Sequence, residues 1–111
     1  MGSIENLIPY LCMGVIYLII GIIFKILKVK KINGLVGYRT SSSTSNQENW
    51  DKANSYFPKI MIKTGIVMII IGIILYLIFP TSELIIMTYL LGSPIVSIFY
   101  IIHSTEKHIK S

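Results

Sequence analysis

Acidic residues are scarce in this chain, five in 111. None of them, and no His or Arg, falls deep inside its long apolar runs. Proton- and ion-coupled carriers usually need ionisable groups at membrane depth, so a secondary transporter is not expected. The chain is also short for inverted repeats. The single cysteine, Cys12, excludes an intramolecular disulfide and a cysteine-built metal site. It lies in an apolar run and reads as a small packing residue. The first six residues carry no Lys or Arg, and the apolar run after them is too long for a signal core. No cleavable signal peptide is therefore expected. Asn6 stands where a myristoylation site needs Ser or Thr.

What is abundant is apolar sequence. The hydrophobic fraction is 53% and the mean hydropathy is +0.72. A soluble domain of this size could not bury so much Ile and Leu in one core. Three runs, at about residues 7–27, 60–79 and 84–103, each have the roughly 20 residues needed to cross about 30 Å of hydrocarbon. Backbone groups in lipid must be satisfied within the segment, which favours helix. The expected fold is an all-α membrane protein, one domain over 1–111, with three transmembrane helices.

The net charge of +5 would suggest nucleic acid in a soluble protein. Here all ten Lys and Arg lie in the first loop, its flanking helix ends or the C-terminal tail. That is a topology signal, so no nucleic-acid partner is expected. By the positive-inside rule, the loop at 28–58 and the C-terminus face the cytoplasm, and the N-terminus and the turn at 80–83 face outward. The lipid bilayer is the first partner. The basic cluster of Lys28, Lys30 and Lys31 reads as a stop-transfer anchor that attracts anionic headgroups.

Within the membrane, Gly14 and Gly21 are a heptad apart, as are Gly65 and Gly72, so each pair offers a neighbour a close approach. On the third span Tyr89, Ser93, Ser97, Tyr100 and Ser104 form one polar stripe. Interhelical hydrogen bonding is its expected role, and a peptide- or lipid-contacting seam is the functional alternative. Pro94 should kink this span near its middle.

The loop holds the only Arg and the only Trp. Residues 41–45 look like a Ser-rich linker. Ser45 with Glu48, or Thr44 with Gln47, makes a capping box for a short amphipathic helix from Asn46 to about Tyr56. Trp50 and Phe57 fall on one side of it, which suggests a helix lying in the membrane interface with Trp50 as anchor. Pro58 would then start the second span. Arg39 is expected to fold back on this helix, bonding Asn54 or a backbone carbonyl, or stacking on Trp50. Gly37 would supply the backbone freedom, and Thr40 and Ser43 would fix the turn.

No nucleophile–base pair or metal set is evident, so neither an enzyme nor a cofactor is expected. His103 and His108 read as solvated interfacial residues. Nothing in the spacing selects an oligomeric state.

The loop residues Asn33, Gly37, Tyr38, Arg39, Thr40, Ser43, Trp50, Ala53 and Asn54 resemble the SdpI family, bacterial membrane proteins named for immunity to a secreted sporulation-delaying toxin. The family pattern is Asn, three residues, Gly, an apolar or aromatic residue, Arg and Thr. Ser or Thr follows three residues later, then Trp after seven, then two residues, Ala or His, and Asn. All nine positions match without a gap, and Asn46 and Glu48 also fit. Ser41 and Ile32 depart from frequent prolines, and Ser55 from a frequent basic residue. The resemblance implies one span before the motif and two after it. Longer members carry a further N-terminal membrane region, so this chain reads as a short form. The resemblance implies an immunity protein of the bacterial cytoplasmic membrane, with a toxic peptide and a cytosolic regulator as partners. The competing function is a holin-like membrane permeabiliser. Three short spans and a basic tail would suit it, whereas Arg39 and Trp50 at fixed spacing would not.

Overall fold

The computed structural model describes residues 4–110. A single 3₁₀ turn, Ile4–Asn6, leads into α1, Leu7–Leu27; α2 is Gln47–Ile78 and α3 is Glu83–Ile109. Ile4–Leu27, Gln47–Ile78 and Glu83–Ile109 are each long and apolar enough to cross a membrane. The molecule is a rod with extents of 53 × 23 × 21 Å. A hydrocarbon core is about 30 Å thick, so one end must project beyond it. That end carries the loop.

The helix boundaries follow from local chemistry. α1 stops at Lys28, which takes a left-handed conformation with φ 50° while its N–H still bonds the Phe24 carbonyl. α2 is capped by Asn46, whose side chain accepts from the Asn49 N–H. Neither expected capping box forms: Thr44 and Ser45 turn their hydroxyls back to the Thr40 and Ser42 carbonyls instead. Ser82 caps α3 by accepting from the Ile85 N–H at 3.3 Å. It does so after a turn at Pro80 that receives the Asn6 amide at 2.9 Å.

The separate interfacial helix is not there. Residues 47–57 are the first turns of α2, which runs 32 residues with Pro58 inside it. At 1.5 Å per residue this is about 48 Å, well beyond a bilayer core. Pro58 removes one ladder bond. Burial outweighs that loss: Trp50 and Ala53 are both 0% exposed. They lie under the loop and the end of α3, so this segment packs within the molecule as part of α2 rather than as a separate helix.

α1 and α2 form the principal pair. A methyl group on Gly65 would lie 2.8 Å from the Gly14 carbonyl oxygen and 2.8 Å from the Leu18 nitrogen. One on Gly21 would lie 3.0 Å from the Pro58 carbonyl oxygen. The backbones touch because side chains are missing on both, the packing available to helices without a hydrophobic drive in lipid. Tyr17, Ile60, Met61, Met68 and Ile101 form the core inside the bundle. A second cluster, Tyr38, Ala53 and Ile109, sits at the loop end, and Phe57 packs against both.

α3 adds Ile101 and Ile109 to these clusters and is also tied by polar contacts. Ser97 Oγ donates to the Tyr17 hydroxyl at 2.9 Å, and Tyr17 donates to the Pro94 carbonyl at 2.9 Å. Tyr89 donates to the Met68 carbonyl. α3 continues as helix through Pro94. The polar stripe therefore divides. Tyr89 and Ser97 bond other helices, whereas Tyr100 is 47% exposed and Ser104 half-buried. Ser93 Oγ is buried without a partner. Tyr100 and Ser93 line a groove of about 310 Å³ between α2 and α3, so the stripe only partly meets a neighbouring helix.

Candidate loop-end cap

The motif residues close one cap over the end of the bundle. It starts with Asn33, whose Oδ1 accepts from the N–H groups of Leu35 at 2.9 Å and Val36 at 2.7 Å. Its amide donates to the Lys31 carbonyl at 3.0 Å. This Asx turn is what a short amide side chain does in a loop. The chain then meets Gly37 with φ 107°, where an added Cβ would lie 2.6 Å from Asn54 Oδ1. Both facts demand glycine.

The next residue, Tyr38, is gripped by Asn54. Tyr38 N–H donates to Asn54 Oδ1 at 2.7 Å, and Asn54 Nδ2 donates back to the Tyr38 carbonyl at 3.2 Å. One side-chain amide thus satisfies both backbone groups of a buried residue, as a neighbouring strand would. The same Nδ2 also reaches the Trp50 carbonyl at 3.2 Å. The Tyr38 ring packs on Phe57 with centroids 5.4 Å apart.

Thr40, Ser42 and Ser43 form a tight turn rather than a loose linker. Thr40 N–H donates to Ser43 Oγ at 2.7 Å, and Ser43 Oγ, fully buried, reaches the Thr40 and Tyr38 carbonyls. Asn49 Nδ2 holds the Ser42 carbonyl at 3.1 Å. On the other side, Trp50 Nε1 donates to the Val29 carbonyl at 3.0 Å, and Gln47 Nε2 donates to the Lys30 carbonyl at 2.6 Å. Trp50 therefore staples the start of the loop to α2. It is not an interfacial anchor.

The centre of the cap is Glu106, which sequence reasoning missed. Its carboxylate accepts from the Tyr38 hydroxyl at 2.7 Å, from Thr40 Oγ1 at 3.0 Å and from Ser42 Oγ. Burial alone would raise its pKa, but the hydroxyls of Ser42, Tyr38 and Thr40, together with the Lys110 charge, hold it below the usual carboxylate value. α3 has 27 residues, about 40 Å at 1.5 Å each, so Glu106 near its end stands beyond the hydrocarbon. The tail is not a solvated strand: Ile101, Thr105 and Ile109 are buried at successive i, i+4 positions, so α3 keeps an inward face to its end. That spacing was the available signal. His103 is exposed as expected, but His108 stacks on Tyr56 with centroids 4.4 Å apart.

Arg39 does not fold back on α2. Its side chain is exposed and Nε donates to the Asn33 carbonyl at 3.1 Å. Asn54 is taken by Tyr38 for a chemical reason: the Tyr38 N–H needs an acceptor, and a guanidinium has none. Four of the five Arg39 N–H groups are uncommitted among the described residues. Chemically the cap is a lock: one carboxylate accepts from three hydroxyls of the loop. Among the described residues no group of three or more His, Cys, Asp or Glu could hold a metal ion.

The SdpI/YfhL protein family matches residues 29–101, which takes in the loop and reaches well into α3, but ends before Glu106. A curated relative from Bacillus subtilis (strain 168), "Uncharacterized protein YfhL", is 40% identical over 62 residues. The alignment covers 56% of this chain and 56% of the relative, so it spans little more than half the relative's length. No solved structure matches the chain.

Proposed function

We propose that this chain, which belongs to the SdpI/YfhL protein family, is an immunity protein that shields its host membrane from a membrane-active toxic peptide. The observation that carries the proposal is the use made of the motif: its residues join one cap that ties the loop to α2 and α3. A device that fixes three spans in one arrangement suits a protein that must recognise something in the bilayer while staying closed. A permeabiliser would gain nothing from it. The groove between α2 and α3 supports a peptide contact, since the hydroxyls of Thr64 and Ser93 are buried there without partners. Orphaned hydroxyls in a membrane groove are stabilised by a ligand that brings hydrogen-bonding groups.

Expression in a sensitive strain should raise survival against the peptides secreted by the producing organism. Thr64→Val with Ser93→Ala should remove most of that protection at an unchanged membrane level. Unchanged killing despite normal insertion of the native chain would sink the proposal. Depolarisation on expression alone would replace it with the permeabiliser.

The proposed orientation puts the cap in the cytoplasm, because the lysines and Arg39 cluster at that end. With Cys12→Ser as background, an impermeant thiol reagent should label Ser82→Cys but not the exposed Ser41→Cys in intact cells. The reverse pattern would invert the topology. Facing the cytoplasm, the uncommitted guanidinium of Arg39 would be the contact for a cytosolic regulator. Arg39→Lys should then leave the cap intact, costing under about 1 kcal/mol, because it loses one exposed hydrogen bond. It should still weaken the function, since Lys cannot reproduce the planar fork. Amide exchange across 33–45 checks the first half and peptide survival the second.

A further inference from the structure

At the loop end α1 and α2 diverge around a cleft of about 380 Å³. Its shape follows from the staple described above. α1 ends on the left-handed Lys28, and the chain is drawn sideways so that the Val29 carbonyl can take the Trp50 indole N–H. The cleft is lined by Lys25 from the last turn of α1, by Lys28 and Lys30 just after it, and by Lys59 from α2. Phe24 and Pro58 supply an apolar floor.

Four lysines therefore line one cleft, against a single lining carboxylate, Asp51, which already accepts from Gln47 Nε2 at 2.7 Å. None of the four is in an ion pair among the described residues. Four like charges lining one cleft without an ion-pair partner repel one another in the protein alone and are offset by an anion between them. The level is also fixed. The 21 residues of α1 span about 32 Å, so Lys25 and Lys28 at its end stand where phosphates of the bilayer lie.

We propose that this cleft is a binding site for the phosphate of an anionic phospholipid, with the lysines on the phosphate and the Phe24–Pro58 floor under the first carbons of the lipid. Basic pockets between transmembrane helices take such headgroups elsewhere. A diffuse attraction between a basic loop and an anionic surface would count charges regardless of position. A site counts only those that line it.

The full chain purified in detergent is titrated with phosphatidylglycerol and with phosphatidylcholine, and bound lipid is read by native mass spectrometry. Phosphatidylglycerol should be retained preferentially. Lys28→Gln with Lys59→Gln, one from each wall, should lower its retention by roughly tenfold or more, at about 1 kcal/mol per lysine. Lys31→Gln with Lys107→Gln removes the same charge outside the cleft and should change it less than about twofold, because neither lysine lines the site and so neither contributes the roughly 1 kcal/mol of a lining one. All four side chains are exposed, so neither pair threatens the fold. Equal losses from both pairs, or equal retention of the two lipids, would overturn the site. Displacement by glycerol phosphate at concentrations matching the lipid would overturn the lipid assignment in favour of a soluble phosphate.

Discussion

Trp50→Ala is expected to open the loop while the three helices remain inserted. Trp50 is fully buried, and its indole N–H holds the Val29 carbonyl. Its ring also forms the wall beside Gly37, where an added Cβ would sit 3.4 Å from Trp50 Cζ2. Truncating a buried Trp to Ala typically costs about 3–5 kcal/mol. That corresponds to roughly a hundred- to several-thousand-fold in the opening equilibrium. The loss should stay local. The α1–α2 glycine contacts and the Tyr17–Ser97 bond lie deeper in the bundle and do not involve the ring. Hydrogen exchange should therefore accelerate across 29–45 with no change in helix content by circular dichroism. Trp50→Phe keeps most of the volume and strands one carbonyl, so its effect should be nearer 1–2 kcal/mol, about the cost of an unsatisfied acceptor. Native protection of 29–45 in the alanine variant would show that the ring does not staple the loop.

Glu106→Ala should have an effect of comparable size from the opposite side of the cap. Three hydroxyls lose their shared acceptor, and that of Tyr38 belongs to a side chain only 6% exposed. Removing the charged partner of buried donors costs on the order of 3 kcal/mol or more. Glu106→Gln should fall between, since one oxygen remains but the other position becomes a donor facing a donor. The pH dependence follows with a definite sign. The Glu106 pKa is held below its ordinary 4.5, so its contribution is complete above that value and is lost as pH falls through the folded-state pKa. The Tyr38 pKa is pushed above its ordinary 10.0, by burial first and then by its bond to the Glu106 carboxylate and that group's charge. Its contribution is complete below 10.0 and is lost as pH rises through the raised value. Loop exchange, corrected for intrinsic rates, should be flat between about pH 5 and 9. The acid limb should vanish in Glu106→Gln. An acid limb that persists in this variant would assign the transition to another group.

The parts of this protein legible in its sequence are those set by short-range chemistry. Whether a segment can cross a bilayer depends on its own composition over about 20 residues, and all three apolar runs became helices. The heptad glycines faced a neighbour because spacing on a helix sets which residues share a face. A cap for α3 at Thr81 or Ser82 is expected for an equally local reason, and Ser82 supplies it. The resemblance of the loop motif to the SdpI family, rather than any local rule, pointed to residues that stand together at one end of the molecule.

What only the tertiary structure decided is which partner each polar group takes. Tyr38 and Glu106 are 68 residues apart, and nothing near either one names the other. Ser42 and Ser43 look like linker serines until the end of α3 arrives beside them with a carboxylate. Residues 47–57 have the pattern of a helix that could lie on a membrane surface, and Pro58 offers a natural break. Their direction was settled by Trp50 and Ala53 finding burial under the loop and α3. Arg39 could have reached Asn54 by distance along the chain, but the Tyr38 backbone offered a donor and an acceptor together and took the amide. Secondary structure in lipid is decided by the segment, because its backbone has no other partner there. Beyond the hydrocarbon, water and several side chains compete for every group, and only the meeting of the helix ends selects among them.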